Sequence, residues 1–169
     1  DKEKAAQLTR NNFNGLAAYE EKDETPFRFG SFTTMGELYV ETGLNELRMS
    51  NYRRILSLDS AMVVVQFDKD GVQYQRKYFI SYPDSVMVMK FTANQSGKQN
   101  LILSYCPNSE AKSNLRADGK DGLVYTGVLD NNGMKFAFRI KAIHKGGTLE
   151  AENDRLIVKG ADEVVFLLT

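Results

Sequence analysis

From residue 36 to residue 169 apolar and polar positions alternate, and short turn sequences interrupt the alternation at close intervals. A period of two residues is that of a β-strand, and Asp70-Gly71 and Asn132-Gly133 are pairs that tolerate the left-handed backbone of hairpin turns. This pattern predicts an all-β chain of about ten antiparallel strands, which folds as a sandwich or a barrel. A sandwich is favoured because the predicted strand Ala61–Phe67 is apolar on both faces, as in strands that are covered on both sides.

The first 35 residues lack this alternation. Residues 1–14 have the spacing of a short helix, and Gly15 supplies the usual stop at its C-terminal end. Residues 15–35 show no clear period and predict a loop, which carries three aromatic rings that we expect to pack on the core: Phe27, Phe29 and Phe32. We interpret residues 1–169 as a single β-sandwich domain with antiparallel strands over residues 36–169; whether Ala111–Ala117 is a strand or a loop stays open.

Composition excludes several classes of function. The chain has 169 residues, with 22 basic and 22 acidic side chains, so its formal charge of zero does not suit nucleic-acid binding or a polybasic membrane surface. One cysteine excludes an internal disulfide, and one histidine with one cysteine makes a zinc site of the usual ligands improbable. No nucleotide-binding glycine motif is present, so we expect neither a cofactor nor a metal.

Residues that could carry catalysis have simpler structural explanations. His144 lies at a predicted strand end and is expected to be exposed, whereas Cys106 ends an apolar strand and is expected to be a buried structural thiol. Asp68–Gly71 resembles a calcium loop only superficially, because Val72 and the residues after it lack the later ligands. Three carboxylate pairs are candidates for glycoside hydrolysis, although nothing in the sequence places any of them across a cleft: Glu37 with Glu41, Asp59 with Asp84, and Asp162 with Glu163. We therefore predict no catalytic residue in this chain.

A tyrosine stripe leaves a carbohydrate-binding or adhesion module open as an alternative. Tyr74, Tyr78 and Tyr82 fall on one face of a predicted strand, and aromatic rings of this kind can stack on sugar rings. The same spacing is what one packed strand face requires, and packing is the favoured interpretation.

Five segments in order resemble one family of enzymes. They begin with Met35-Gly-Glu-Leu-Tyr-Val40 and Tyr52-Arg-Arg-Ile-Leu-Ser-Leu-Asp-Ser-Ala61 and continue with Val65–Asp84, Val86–Ala93 and Val158–Leu168. The series resembles the N-terminal β-sandwich domain of glycoside hydrolase family 95, the bacterial α-L-fucosidases, over about residues 30–168. Thr34-Met35 precedes Gly36-Glu37 where that family usually has Gln-Pro-Leu before Gly-Asp, and the family's opening tryptophan-containing segment has no counterpart in this sequence.

The resemblance implies a super-β-sandwich that belongs to a larger, secreted, inverting glycosidase. In such enzymes the catalytic carboxylates lie in a separate (α/α)6 barrel, so no catalytic residue can be transferred to this chain. The implied partner is that barrel in the same parent chain, with carbohydrate as a further candidate and with no nucleic acid or membrane span. The implied location is the periplasm or the exterior of a bacterium. The apolar run Glu163–Thr169 stops abruptly, which suggests a piece of a longer chain, and open strand edges suggest a homodimer.

Overall fold

The computed structural model of the chain describes residues 1–12, 34–45, 47–107, 111–129 and 133–169. Helix α1 (Lys2–Asn12) lies within the stretch for which the sequence predicts a helix. The predicted loop over 15–35, with its three phenylalanines, lies outside the described residues except for its last two. The described residues after the helix form twelve strands: β1 (Gly36–Glu41), β2 (Met49–Ser57), β3 (Met62–Lys69), β4 (Val72–Ser81), β5 (Val86–Ala93), β6 (Gln99–Pro107), β7 (Ala111–Ala117), β8 (Gly122–Leu129), β9 (Lys135–Lys145), β10 (Thr148–Glu152), β11 (Arg155–Ala161) and β12 (Glu163–Leu168).

The strands form two antiparallel sheets, which confirms the predicted all-β sandwich. The small sheet has four strands in the order β1-β6-β11-β10, and the large sheet has eight in the order β2-β3-β4-β5-β12-β9-β8-β7. The chain passes from one sheet to the other five times, because β1, β6, β10 and β11 belong to the small sheet and the rest to the large one. Ala111–Ala117 is a strand, pairing with β8 at the edge of the large sheet.

The main core lies between the small sheet and the middle of the large sheet. Its fully buried residues come from β5, β6, β8, β9, β11 and β12, and they are led by Phe91, Leu103, Leu123, Ile140, Leu156 and Phe166. A smaller cluster lies at one end of β3 and β4, where Phe67, Val72 and Tyr74 pack with Leu44 from the segment after β1. Burial of these apolar side chains is the main force that holds the two sheets together.

Two turns show why the sequence carries glycine where it does. The β3–β4 hairpin turns at Asp70 and Gly71, whose φ angles of 50° and 75° belong to the left-handed region, so the predicted turn is confirmed and the calcium-loop alternative is not needed. At Gly147, with φ of 64°, a side-chain Cβ would lie 2.2 Å from the Lys159 carbonyl oxygen. Only glycine fits where these backbones approach so closely.

The described part of the chain does not by itself supply the predicted coverage of β3 on both faces, and coverage by another domain stays a prediction. Val63 and Val64 point to opposite faces of the large sheet, and both side chains are only half-buried. The reason is the unequal width of the sheets, because no strand of the small sheet contributes buried residues to a core opposite β3.

Candidate functional site

His144 and Cys106 do not come together. His144 is exposed near the end of β9, as expected, and its Nδ1 lies 2.8 Å from the Gly146 carbonyl oxygen. Cys106 is exposed as well, so its predicted burial is wrong. In β6 the odd-numbered residues point into the core, with Tyr105 among them, and the alternation therefore turns Cys106 outward. The described residues therefore form no Cys106–His144 pair of the kind that nucleophilic catalysis needs.

The three carboxylate pairs face solvent or bind other side chains. Glu37 and Glu41 are exposed on the outer face of β1, where Glu37 accepts a hydrogen bond from the Tyr39 hydroxyl. That hydrogen bond raises the pKa of Tyr39. Asp59 and Asp84 are exposed in the β2–β3 and β4–β5 turns, and Asp84 accepts a hydrogen bond of 2.6 Å from the Ser81 hydroxyl.

The remaining pair is divided between two partners. Asp162 accepts a hydrogen bond of 2.8 Å from the Gly97 N–H, and Glu163 forms an ion pair of 2.6 Å with Lys90. None of the three pairs therefore has the two free carboxyl groups facing each other that glycoside hydrolysis needs. Across the described ranges, no cluster of three His, Cys, Asp or Glu side chains could hold a metal ion.

The tyrosine stripe is not a continuous platform. Tyr74 is 7% exposed and stacks on Phe67 with ring centroids 5.3 Å apart, and Tyr78 packs edge-on against Phe91. Burial raises the pKa of Tyr78, and the neighbouring Arg76 partly offsets this effect. Tyr82 lies beyond the end of β4 and is 92% exposed. Packing therefore accounts for Tyr74 and Tyr78, and of the three tyrosines in the stripe only Tyr82 presents an exposed ring to a ligand.

A shallow recess opens beside the small core cluster. Arg76 lines it, with its guanidinium 5.0 Å from the ring centroid of Phe67, and so does Gln99, which is 4% exposed and whose Nε2 has no hydrogen-bond partner among the described residues. Sites for small molecules usually measure about 300 to 1,000 Å³. The recess encloses only about 10 Å³, far below this range, and none of the residues that line it is an acid that could act in catalysis.

An aromatic cluster between the sheets explains the glycine in the first of the five motif segments. Gly36 has a φ of 144°, and a Cβ there would lie 2.4 Å from the Cys106 carbonyl oxygen and 2.2 Å from the Tyr105 hydroxyl. Tyr105 donates a hydrogen bond to the Met35 carbonyl oxygen, and its ring packs on Tyr125 and Phe138. Burial, and to a smaller degree the hydroxyl of Tyr125, raises the pKa of Tyr105 well above its ordinary value. The role of Gly36 is therefore structural.

Sequence reasoning missed an exposed apolar surface on the side of the large sheet where β2 is the edge strand. It consists of side chains on β2, on β4 and in the turns that follow these two strands: Tyr52, Leu56, Leu58, Ile80 and Tyr82, which are 61%, 66%, 82%, 72% and 92% exposed. We call these five residues the β2–β4 surface. The alternation predicted where apolar residues fall on each strand, but it did not show which strands the small sheet leaves uncovered.

Comparisons with known proteins agree on a glycoside hydrolase context. Residues 1–169 match the family profile described as "Glycosyl hydrolase family 65, N-terminal domain". The chain is 33% identical over 98 residues to the "Probable alpha-fucosidase A" of Aspergillus niger and 23% identical over 161 residues to the "Alpha-L-fucosidase 2" of Arabidopsis thaliana. These alignments cover 54% and 81% of the chain but only 12% and 19% of the two relatives.

A solved structure shows the same fold. The "Putative kojibiose phosphorylase from human microbiome" superposes with a TM-score of 0.53 at 10% identity, covering 79% of this chain and 21% of the other. In these comparisons the match spans 12%, 19% and 21% of the longer proteins. No helix among the described residues has the length and apolarity needed to cross a membrane.

Proposed function

Since the chain belongs to the N-terminal domain family of glycosyl hydrolase family 65, we propose that it is the non-catalytic N-terminal domain of a secreted glycoside hydrolase of the inverting α-L-fucosidase type. Its role is to support an (α/α)6 catalytic barrel that lies elsewhere in the parent chain. The finer assignment to glycoside hydrolase family 95 rests on the five ordered segments between Met35 and Leu168. The names of the fungal and plant relatives support it.

The observation that carries this proposal is that the chain matches an N-terminal domain along its whole length, while the residues that the structure describes place no catalytic pair of carboxyl groups in a cleft. Both catalytic mechanisms of glycosidases require a pair of carboxyl groups about 5 to 10 Å apart on either side of the scissile bond. Of the described candidate carboxylates, Glu163 is neutralised by Lys90, and Glu37 and Asp84 accept hydrogen bonds on an exposed surface. Bond cleavage then belongs to another part of the parent protein.

The test compares the 169-residue chain with its complete parent protein. Each is incubated with a fucosylated oligosaccharide and, because the sugar specificity is open, with the corresponding galactoside, and the released monosaccharide is quantified. We expect release by the parent and none by the 169-residue chain at equal molarity. Release of fucose by the 169-residue chain would refute the proposal, as would a parent protein without a catalytic domain.

The location of the parent protein is part of the proposal. The family resemblance supports a periplasmic or extracellular glycosidase. The chain has one cysteine, which is compatible with an oxidising compartment because a single cysteine cannot form an incorrect disulfide within the chain. Fractionation of the source cells, with detection by an antibody against the chain, tests this location. Recovery of the parent in the cytosolic fraction would contradict it.

A carbohydrate-binding module is the second candidate, and the exposed rings of Tyr52 and Tyr82 favour it. An aromatic ring that faces solvent offers a flat apolar surface to a sugar ring. Calorimetric titration of the chain with fucosylated and plain glycans decides this point. Binding at millimolar sugar that is lost in Tyr82→Ala would support the second candidate, and absence of heat would count against it.

A further inference from the structure

The β2–β4 surface lies on sheet positions that elsewhere form the core. Strand pairing places Leu56, Val63, Tyr78 and Met89 side by side across four strands, so all four point to the same face of the large sheet. Met89 is 4% exposed in the main core, whereas Leu56 at the other end of the row is 66% exposed. The row therefore runs from the core out to an uncovered edge.

The next row on the same face behaves in the same way. Ile80 pairs with Met87, Met87 pairs with Leu168, and Leu168 pairs with Ile140, which is fully buried. Ile80 at the far end of this row is 72% exposed. Contiguous apolar side chains on a core-facing surface are typical of a face that another segment covers.

The same rows locate the point at which the chain leaves the sheet. Because Leu168 is in register with Met87 and Ile80, the end of β12 lies at the end of the sheet that carries the β2–β3 and β4–β5 turns. Adjacent strands are about 4.8 Å apart, so Ile80 is roughly 10 Å from Leu168. A segment joined to Thr169 starts beside the β2–β4 surface, and tethering of this kind raises the effective concentration of whatever follows.

From these observations, and on the premise of the proposed function, we infer that the β2–β4 surface is the docking site of the catalytic domain of the same parent chain. The matched part of the relatives is at most about a fifth of their length, so a much larger body of polypeptide is available to cover it. Tyrosine and large aliphatic side chains form the surface, and Arg54, which points to the same face as Leu56, lies beside it on β2. Tyrosine and arginine are enriched in protein interfaces, and charged groups usually lie at their rim.

A second copy of the chain explains the surface less well. Two copies joined through the open edge of β2 would form a continuous sheet and would shield side chains on β2. Ile80 lies in β4 and Tyr82 in the turn after it, and β4 is two strands inward from that edge. Pairing at the edge therefore leaves both side chains uncovered. A partner that covers the face and the turns together, as a packed domain does, accounts for all five residues.

Hydroxyl-radical footprinting of the intact parent protein tests this docking site, because docking should reverse the order of the oxidation rates that the exposed fractions of the side chains predict. By exposure in the domain alone, Tyr82 at 92% would be oxidised faster than Tyr39 at 48%, and Leu56 at 66% about as fast as Leu47 at 71%. Tyr39 lies on the small sheet, and Leu47 lies at the opposite end of β2. If the catalytic domain covers the surface, water is excluded there, and we expect Tyr82 and Leu56 to react roughly tenfold more slowly than these two controls.

Three results would overturn this inference. The first is fast oxidation of Tyr82 in a parent that does release fucose, which leaves the proposed function intact and refutes only the docking site. The second is protection already present in the 169-residue chain, because the covering segment would then lie within it. The third is protection that disappears on dilution together with a dimer, which assigns the surface to a second copy.

A pair of variants in the parent gives an independent measurement. Leu56→Asp places a charge in the proposed interface, whereas Leu47→Asp makes the same change at a residue of similar exposure outside it. We expect Leu56→Asp to split the calorimetric unfolding of the parent into two transitions and Leu47→Asp to leave it unchanged. Identical unfolding of the two variants would contradict the inference.

Discussion

Two neighbouring tyrosines between the sheets should respond in opposite directions to loss of their hydroxyl groups. The rings of Tyr105 and Tyr125 have centroids 4.7 Å apart, and they are 8% and 0% exposed. The Tyr105 hydroxyl donates to the Met35 carbonyl oxygen, whereas the Tyr125 hydroxyl is buried close to that of Tyr105 and has no partner in hydrogen-bond geometry among the described residues. A buried polar group without a partner costs about 1 to 3 kcal/mol of stability.

Tyr125→Phe removes that cost and leaves a void about the size of one oxygen atom. At about 24 cal/mol per Å³, a void of roughly 15 Å³ costs about 0.4 kcal/mol, so the net change is a gain of about 1 kcal/mol. For a chain of this length such a gain raises the melting temperature by about 2 to 4 °C. Tyr105→Phe removes a satisfied donor and leaves the Met35 carbonyl unpaired, and we expect it to cost about 1 kcal/mol.

Urea unfolding of both variants, followed by far-ultraviolet circular dichroism, measures these changes. The slope of the unfolding free energy against urea should stay constant, so that the midpoints report stability alone. Tyr105→Phe is the matched control, since it makes the same chemical change in the neighbouring ring. A loss of more than about 1 kcal/mol in Tyr125→Phe would refute the reasoning, because its hydroxyl would then donate to a partner such as the Tyr105 hydroxyl.

Three further predictions follow from other parts of the domain. Because the pKa of Tyr105 is raised in the folded state, the stability that its neutral form provides should be complete below about pH 10 and fall at higher pH; alkaline unfolding should shift upward in Tyr105→Phe, and an unchanged profile would contradict this. Gly36→Ala should cost more than about 3 kcal/mol in urea unfolding, since its Cβ collides with backbone, and a cost under 1 kcal/mol would exclude the collision. Cys106 is exposed and should react with a thiol reagent in the native chain as fast as in urea. Slow labelling of the native chain would instead show that the thiol is buried, as the sequence predicts.

Local features of the fold were predictable because they depend on neighbouring residues. Asp70-Gly71 supplies two left-handed residues, so a hairpin between β3 and β4 follows from the sequence, and alternation located most strands. The assignment of strands to two sheets was not predictable, because it depends on pairing between distant segments such as β6 with β1 and β11.

The error at Cys106 has the same origin. An apolar run predicts burial, but the face to which Cys106 belongs depends on where β6 lies in the small sheet. The candidate site was missed for a related reason. Tyr52, Leu56 and Ile80 look like core residues in the sequence, and only the unequal width of the sheets shows that they lie beyond the smaller one.

The unequal sheets also separate stability from assembly in this domain. The main core is built by β5, β6, β8, β9, β11 and β12, and the β2–β4 surface contributes none of its buried residues. Truncating Phe166, which is fully buried, should therefore cost about 3 to 5 kcal/mol, whereas changes at exposed positions such as Leu56 should stay within about 0.5 kcal/mol. An exposed apolar residue that adds so little to the stability of its own domain is best explained by a partner that binds it. The isolated domain and its attachment to the rest of the parent protein can then be altered independently.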